Sequence, residues 1–311
     1  MKNKNSKIYI IHENDEWVTP LEKELIELNA PFEKWHMNSI SLDTNELPPF
    51  GIFYNRMSAS SHTRGHRYAP EYTAVILDWL EYHERKLVNG SRALNLEISK
   101  SLQYKELKKE GIKIPKSLFA KGKDQLIKLS KQFDRPFLTK HNRAGKGLGI
   151  RLFDEHKKFE EYISSKNFEE SIDGVTILQD YIKPKNNRII RTEFVGKKFI
   201  YAVQVDTSNG FELCPADNCG PDEEFCPANS TGNKFMILEN FSNPIINKYV
   251  NVLNNNNIDI AGIEFLEDEE GNLYTYDINT NTNYNNTAEN LTKYNGMKSI
   301  AEYLYGELKL L

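Results

Sequence analysis

The chain has 311 residues, 27% of them charged and 11% aromatic, which is the composition of a folded protein with one large core or two to three lobes. Its 40 basic and 44 acidic residues give a net charge of −4, so the chain as a whole lacks the positive charge typical of a nucleic-acid or anionic-membrane binder. No segment approaches the roughly 20 apolar residues of a membrane span. The N-terminus lacks the features of a signal peptide, so we expect a cytoplasmic location.

The first third of the sequence alternates between short apolar strands and helices. We predict strands at 7–11, 32–35, 51–54 and 87–88, and helices at 21–28 and 72–83. Thr19 is the expected N-cap of the first helix, with Pro20 at its first position. Strands and helices alternating at this spacing predict a small open parallel sheet.

A long polar loop, 55–67, follows the third predicted strand. It contains Arg56, Arg64 and Arg67, together with two histidines and several hydroxyls. Ligands of open α/β sheets bind at the carboxyl ends of strands, so we expect these three arginines to bind a substrate carboxylate. The alternative is an ordinary hydrophilic loop.

From residue 95 onward a second pattern begins. Helices are predicted at 96–110 and 124–133, and strands at 114–119, 136–140 and 150–153. The last two strands flank the segment 141–149, which holds three glycines and two basic residues, Arg143 and Lys146. Glycine backbone amides approach anionic oxygens closely, so this hairpin tip is a candidate phosphate cover, and a flexible turn is the alternative. The spacing matches neither a Walker A loop nor a dinucleotide fingerprint.

The remaining elements are an apolar strand at 175–182, an antiparallel pair at 188–195 and 198–206, and helices at 244–253 and 297–308. Between them, 207–233 is rich in turn residues and is expected to be a long loop. It contains all three cysteines, Cys214, Cys219 and Cys226. An odd number of cysteines without a secretion signal indicates reduced thiols, and their spacing does not favour a zinc site.

A β-hairpin is predicted to carry a metal site. Apolar residues alternate in 261–266 and 273–279, and turn residues separate the two segments. A two-residue loop at either 270–271 or 271–272 places Glu264 opposite Asp277 or Asn279, with all three on one face, whereas a three-residue loop would break this arrangement. Opposed like charges destabilise a strand pair unless a cation lies between them. Two carboxylates and an amide suit Mg²⁺, and a solvated acidic face is the alternative.

Taken in order, these motifs resemble the ATP-grasp superfamily, closest to the RimK-type and glutathione-synthetase-like carboxylate-amine ligases. The resemblance covers about 95 to 303. It implies an α/β (α+β grasp) fold class, with a small N-terminal parallel α/β domain at 1–94 and a two-lobed ATP-grasp domain at 95–311. Within that domain, 95–182 would be the small nucleotide lobe and 183–311 the larger metal-binding lobe.

The resemblance also implies roles for individual residues. Lys100 and Lys140 match the lysines that reach the nucleotide phosphates, and the loop 142–149, with Gly145 and Gly147, matches the flap over them. The hinge whose backbone reads adenine is matched by Gln179, Asp180, Tyr181 and Ile182. Arg191 matches the arginine facing the transferred phosphoryl group, where Lys146 would assist. Glu264, Asp277 and Asn279 match the magnesium ligands.

The sequence departs from the family pattern in three places. Asp180 stands where the hinge usually has Glu, and the residues 280–284, Thr-Asn-Thr-Asn-Tyr, replace a Pro or Ser turn that usually touches substrate. The cysteine-bearing segment has no counterpart.

The activity implied is an ATP- and Mg²⁺-dependent ligation of a small-molecule carboxylate and an amine through an acyl phosphate. The partners expected are an amino acid or a peptide, without nucleic acid or membrane, and a homo-oligomer is left open. Two other functions stay open: an ATP-binding regulator without ligase turnover, and a RimK-like modifier of a peptide or protein.

Overall fold

The computed structural model describes residues 6–145, 147–208 and 234–311, and in these residues it contains three β-sheets. One sheet is parallel and two are antiparallel, with helices packed against them. This confirms the predicted α/β fold class. None of the helices in these ranges is long and apolar enough to cross a membrane.

The N-terminal sheet is parallel, as predicted, with strand order β2-β1-β3-β4. Its strands are β1 (Lys7–His12), β2 (Phe32–His36), β3 (Gly51–Asn55) and β4 (Lys86–Val88), and its helices are α1 (Asp15–Glu27) and α2 (Ala69–Tyr82). The expected start of α1 is wrong. The helix begins after Asn14, whose side chain accepts from the Trp17 N–H at 3.3 Å, and the acidic residues Asp15 and Glu16 favour this end electrostatically. Pro20 therefore lies inside the helix.

The second sheet is antiparallel, with order β5-β8-β6-β7. It consists of β5 (Ser117–Ala120), β6 (Phe137–His141), β7 (Arg151–Phe153) and β8 (Thr176–Asp180), and it packs on α5 (Lys123–Ser130) and α6 (His156–Ser164). An aromatic core that includes Phe133, Phe137, Phe153 and Phe159 lies between sheet and helices. The sheet thus forms a separate small layer that presents the β6–β7 connection at its edge.

The third sheet is also antiparallel, with order β11-β10-β9-β12-β13. It consists of β9 (Arg188–Val195), β10 (Lys198–Asp206), β11 (Phe235–Leu238), β12 (Ile260–Glu267) and β13 (Leu273–Asn279), and the remaining helices are α3 (Ser91–Glu97), α4 (Lys100–Lys109), α7 (Ile245–Asn255), α8 (Asn286–Glu289) and α9 (Gly296–Leu310). The apolar core under this sheet is shared with β1 and β3 of the N-terminal sheet. This shared core fixes the N-terminal sheet against the third sheet, which has five strands and which we call the large sheet.

The single helix predicted at 96–110 is two helices in the structure. Helix α3 ends at Glu97, and α4 begins at Lys100 after Ser99, which caps it by accepting from the Leu102 N–H at 3.4 Å. The predicted domain boundary after Leu94 falls inside α3, and the one after Ile182 falls between β8 and β9. The domain division stays a prediction. The predicted loop 207–233, with its cysteines, and Lys146 lie outside the described residues except for Thr207 and Ser208.

His12, at the end of β1, makes the stability of the fold depend on pH. Its side chain is buried, and in the described residues neither ring nitrogen has a hydrogen-bond partner. Burial lowers the pKa of His12 to about 4, against 6.5 for an ordinary histidine. The folded protein therefore holds His12 neutral. The contribution of neutral His12 to the free energy of unfolding is at its full value above pH 6.5. This contribution is lost as the pH falls from there toward 4.

We expect the free energy of unfolding to fall by roughly 2 kcal/mol between about pH 7.5 and 5 because of this one group. Urea unfolding at the two pH values measures the change. The variant His12→Leu should lose this contribution to the pH dependence, while His156→Leu, at an exposed position, should keep it. An unchanged pH dependence in His12→Leu would contradict the assignment.

Candidate active site

The β12–β13 hairpin places Glu264 opposite Asp277, but its loop length differs from the one predicted from the sequence. The loop has three residues between Asp268 and Asn272, and Gly271 adopts φ 82° as its N–H donates to the Asp268 carbonyl at 3.1 Å. Such a loop alone would put Glu264 opposite Tyr276, since Phe265 faces Thr275. A β-bulge next to Glu264 inserts one residue and shifts the pairing to Asp277. The expected two-residue loop is therefore wrong, and the bulge compensates for it.

The three predicted metal ligands face the same space. Asn279 Nδ2 donates to Glu264 Oε1 at 3.3 Å, and Asp277 is close enough to Glu264 for the two carboxylates to influence each other. Burial, with the Asp277 charge next, raises the pKa of Glu264. Burial also acts against ionisation of Asp277, but Lys100 and Lys140 outweigh it and lower the pKa of that group. The hairpin thus holds a buried acidic pair that requires cations.

Two lysines from other elements supply positive charge. Lys100, the first residue of α4, makes a salt bridge with Asp277 Oδ1. Lys140, in β6, donates from Nζ to the Tyr276 carbonyl at 3.3 Å and lies over the Tyr276 ring. Burial lowers the pKa of Lys140, although Asp277 and Glu264 act to raise it. Two residues far apart in sequence therefore converge on the acidic hairpin.

Arg191 lies in the middle of the large sheet, on β9 opposite Glu264 of β12. Its guanidinium donates to Glu264 Oε1 at 3.2 Å, to Glu193 and to the Thr282 hydroxyl, which in turn donates to Glu193 Oε2 at 2.9 Å. Burial opposes the charge, yet Glu193 and Glu264 raise the pKa of Arg191 above its ordinary value. A Cβ at Gly262 would come within 2.5 Å of Arg191 Nη2, so only glycine leaves room for the guanidinium.

These side chains line one cavity, which we call the chamber. Its volume is about 120 Å³. Its lining includes Trp17, Ser58, Ser60, Glu97, Lys100, Lys140, Gly145, Gly147, Arg191, Glu264, Asp277, Asn279, Asn281 and Asn283. All three sheets or their connecting loops therefore contribute to its wall.

The β6–β7 connection, which we call the glycine loop (residues 142–150), covers one side of the chamber. Gly147 and Gly149 adopt φ 76° and 73°, and a Cβ at Gly149 would collide with the His141 ring. Arg143, one of the two basic residues noted in this segment, donates to Glu71 Oε1 of α2 at 2.7 Å. This ion pair ties the described part of the glycine loop to α2.

Residues 98–213 match the model of the RimK-like ATP-grasp domain. The D-alanyl-alanine synthetase A from Vibrio cholerae is similar with a TM-score of 0.66, at 13% identity and with 100% of each chain covered. The protein has an ATP-grasp fold. The resemblance drawn from the sequence is confirmed for the ATP-grasp fold, and for the RimK-like ATP-grasp domain over residues 98–213.

Two further structures share the ATP-grasp fold. The ATP-grasp ligase PsnB, in complex with a minimal precursor, Mg and ADP, is similar at 12% identity with a TM-score of 0.66 and 99% of each chain covered. A RiPP-associated ATP-grasp ligase from Chryseobacterium gregarium, in complex with ADP and with leader and core peptides, is similar at 16% identity with a TM-score of 0.65 and 97% of each chain covered. No curated protein sequence matches the chain.

The predicted hinge of this ATP-grasp fold lies at the end of β8. Gln179 Nε2 donates to the Tyr104 hydroxyl at 2.7 Å and to Ser117 Oγ at 2.8 Å. The backbone N–H groups of Asp180 and Tyr181 donate to the carbonyls of Lys116 and Pro136. As far as the chain is described, neither these three residues nor Ile182 belongs to the chamber lining. Their role in reading adenine stays a prediction.

The three arginines of the 55–67 loop are not brought together. Arg64 pairs with Glu13, and Arg67 pairs with Glu71. Arg56 is buried and donates to Asn283 Oδ1 at 2.8 Å and to the Thr282 carbonyl at 3.2 Å. Arg56 therefore acts on the loop after β13, while a direct substrate contact of any of the three stays a prediction.

The candidate metal site is made of oxygen donors. Among the described residues, no three His, Cys, Asp or Glu side chains form a group that could hold a metal ion. The candidate site instead has two carboxylates, from Glu264 and Asp277, and the amide oxygen of Asn279. Mg²⁺ is commonly bound through one or two carboxylates together with water and phosphate oxygens, so this donor set fits it.

Proposed function

We propose that the protein is an ATP- and Mg²⁺-dependent ligase that joins a carboxylate to an amine through an acyl phosphate. One observation carries the proposal: the acidic hairpin residues and three cations, Lys100, Lys140 and Arg191, converge on a single chamber beneath the glycine loop. A triphosphate needs such a combination of divalent metal and fixed positive charge. The structural relatives are themselves ligases, and PsnB was crystallised with Mg and ADP.

Glu264, Asp277 and Asn279 would hold Mg²⁺, which when bound neutralises charge on phosphate oxygens. Lys100 Nζ already lies against Asp277, and Lys140 is held near the same hairpin. Arg191 cannot swing freely because Glu193, Glu264 and Thr282 fix its guanidinium. Positive groups fixed in advance stabilise developing charge without having to reorganise during the reaction.

In the first step, a substrate carboxylate oxygen attacks the γ-phosphorus of ATP and ADP leaves. In the second step, an amine nitrogen attacks the acyl carbon, phosphate leaves, and the nitrogen loses a proton to give the amide. Arg191 and Lys140, with Lys146 from the glycine loop, would stabilise the phosphoryl group as it transfers. Neither step requires a nucleophilic side chain from the protein.

The glycine loop would protect the acyl phosphate from water. In the arrangement described, the chamber of about 120 Å³ is smaller than the roughly 300–1,000 Å³ of small-molecule sites, so the loop must move outward for a nucleotide to enter. Arg143 and Glu71 would hold it closed afterwards. Closure that excludes water is a common requirement of enzymes with reactive intermediates.

The competing hypothesis is a nucleotide-binding regulator without turnover. The buried acidic pair argues against it, because binding alone has little need for two carboxylates kept close together. The predicted cytoplasmic location and the oligomeric state remain predictions.

A screen for ADP release tests the proposal. Purified protein with ATP and Mg²⁺ is incubated with amino acids, short peptides and polyamines, and products are identified by mass. We expect Mg²⁺-dependent ADP release with at least one carboxylate, an amide product when an amine is present, and loss of both upon chelation with EDTA. ATP binding without ADP release for any substrate would support the regulator instead.

A further inference from the structure

The strand β5 forms one edge of the second sheet. In the order β5-β8-β6-β7 it pairs with β8 on one side and, among the described residues, with no strand on the other. The Asp180 N–H donates to the Lys116 carbonyl at 2.9 Å, so the backbone groups of Lys116 face β8. Residues of an antiparallel strand face their partner strand alternately, so the N–H and C=O groups of Ser117 and Phe119 point away from β8. The edge therefore offers two donors and two acceptors to another extended chain.

The segment around β5 is strongly basic, although the protein as a whole is slightly acidic. Residues 105–135 contain nine lysines and one arginine against four acidic residues, which gives a net charge of +6 in a chain of net charge −4. Two of the four acids already have partners from other segments, since Glu106 pairs with Arg92 and Glu110 accepts from Asn255 at 2.8 Å. Positive charge is therefore concentrated in α4, β5 and α5.

Exposed lysines flank the free edge of β5. Lys116 and Lys121 directly precede and follow the strand. On α4, the Tyr104 ring contacts the Phe119 ring of β5 at 6.1 Å between centroids, and Lys108 lies one helical turn beyond Tyr104 on the same side of the helix. Lys116 donates to a backbone carbonyl, and in the part of the chain that the structure describes none of the three lysines is paired with a carboxylate. We call β5 with these three lysines the basic edge.

The charge of the basic edge selects which chains can pair with it. Lysines at a sheet edge commonly prevent pairing between identical edges, because like charges repel. Here the same repulsion acts against a second copy of β5 and against any cationic strand, whereas it becomes attraction for an acidic strand. A nucleic acid matches the edge less well, since its phosphates only accept hydrogen bonds and leave the outward carbonyls of Ser117 and Phe119 without a donor.

We propose that the basic edge binds an extended, acidic segment of a partner protein, which adds a strand to the second sheet beside β5. Backbone hydrogen bonds to Ser117 and Phe119 would pair the two strands, and carboxylates of the segment would lie against Lys108, Lys116 and Lys121. None of these five residues belongs to the chamber lining, as far as the structure describes the chain. The inference therefore goes beyond the proposed function and does not depend on it.

Binding of a designed peptide to the full chain provides the first test. The probe is an acetylated peptide amide that alternates glutamate and threonine, compared with the same peptide carrying lysine for glutamate and with a version whose backbone amides are N-methylated. The glutamate peptide should bind, and more weakly as the salt concentration rises. The other two should bind about tenfold more weakly or less tightly still, because one has the wrong charge and the other cannot donate to β5. Equal binding of the N-methylated version, or no binding of the glutamate peptide at millimolar concentration, would overturn the inference.

Amide hydrogen exchange followed by NMR locates the contact on the protein. With the glutamate peptide at about ten times its Kd, exchange at the amides of Ser117 and Phe119 should slow roughly tenfold. The amides of Leu118 and Ala120 face β8 and should change little. Unchanged exchange at Ser117 and Phe119 while the peptide is bound would show that it binds elsewhere, and would overturn the inference.

Charge reversal separates the basic edge from the net charge of the protein. Lys108→Glu combined with Lys121→Glu should weaken binding of the glutamate peptide about tenfold and strengthen binding of the lysine peptide. Lys23→Glu combined with Lys157→Glu makes the same change in net charge at exposed positions of α1 and α6, and should match the wild type. Equal effects of the two double variants would overturn the inference. Thermal unfolding checks that both variants fold, and the tests on the wild type decide the question if the first does not.

An oligouridylate tests the competing occupant, a single-stranded nucleic acid. We expect it to bind more weakly than the glutamate peptide and to leave exchange at Ser117 and Phe119 unchanged. Displacement of the peptide by oligouridylate at equal or lower concentration would identify a general polyanion surface and overturn the inference. All of these measurements are made without ATP or turnover, so their outcome is the same whether the protein proves to be a ligase or not.

Discussion

Replacing Asp277 by Asn is expected to lower kcat/KM for ADP release at least about a hundredfold, because residues that only support a metal ligand already contribute roughly 10–100-fold. The asparagine keeps the size of the side chain and an oxygen that can accept from Lys100, the salt-bridge partner of Asp277. It removes the negative charge that, with Glu264, would hold Mg²⁺. ADP release measured across Mg²⁺ concentrations should therefore also show a higher Mg²⁺ requirement.

The Mg²⁺ titration distinguishes a metal ligand from a residue that merely positions Lys100. If Asp277 only held the lysine in place, the Mg²⁺ concentration for half-maximal activity would stay the same in the variant. Glu269→Gln is the matched control, because it removes one negative charge from the exposed turn of the same hairpin. Circular dichroism and thermal unfolding check that the fold is kept. Near-normal turnover by folded Asp277→Asn would refute the metal assignment.

The two strands of the β12–β13 hairpin could be predicted from the sequence, but its loop and its β-bulge could not. Alternating apolar residues located both strands, although β12 is buried along almost its whole length and β13, at the edge of the large sheet, is only partly buried. The pairing was predicted through a loop that the structure does not have. The β-bulge beside Glu264 depends on how β12 fits between β9 and β13, which is a property of the whole sheet that no short segment encodes.

Errors at helix ends have a different origin. Asn14 and Ser99 are both good N-cap residues and were readable in the sequence, but Pro20 and the long apolar pattern at 96–110 suggested other ends. Both true helix starts position side chains that line the chamber. The break before Lys100 directs that lysine toward Asp277, and the earlier start of α1 brings Trp17 to the chamber.

The residues that surround the Arg191 guanidinium come from three separate segments, and the sequence analysis did not predict these contacts. Glu193 carries a readable signal, since it lies two residues from Arg191 on the same strand and so on the same face. Thr282 and Gly262 approach the guanidinium only after the sheet has formed, and their spacing from Arg191 in sequence reveals nothing. Contacts between distant segments of this kind are what a single sequence cannot provide.

Replacing Arg191 by Leu is expected to destabilise the folded protein by roughly 3–5 kcal/mol, because it leaves buried carboxylates without their counterion. Glu193 is 1% exposed and Glu264 is 7% exposed, and both make contact with the guanidinium. Leucine fills part of the space but can donate no hydrogen bond. Urea unfolding at about pH 8 gives the loss, and Arg188→Leu, at an exposed position on the same strand, is the control that should stay close to wild type.

The pH dependence of that loss identifies its cause. Burial already raises the pKa of both Glu193 and Glu264, and Arg191 lowers it in each case. Without the arginine the two pKa values rise further, so the folded variant keeps these carboxyls protonated at mildly acidic pH and is destabilised as rising pH ionises them. The difference in unfolding free energy between wild type and Arg191→Leu should therefore be smaller at pH 5 than at pH 8. A difference that is the same at both pH values would show that lost packing, and not uncompensated charge, accounts for the effect, and a loss below about 1 kcal/mol would contradict the buried ion network altogether.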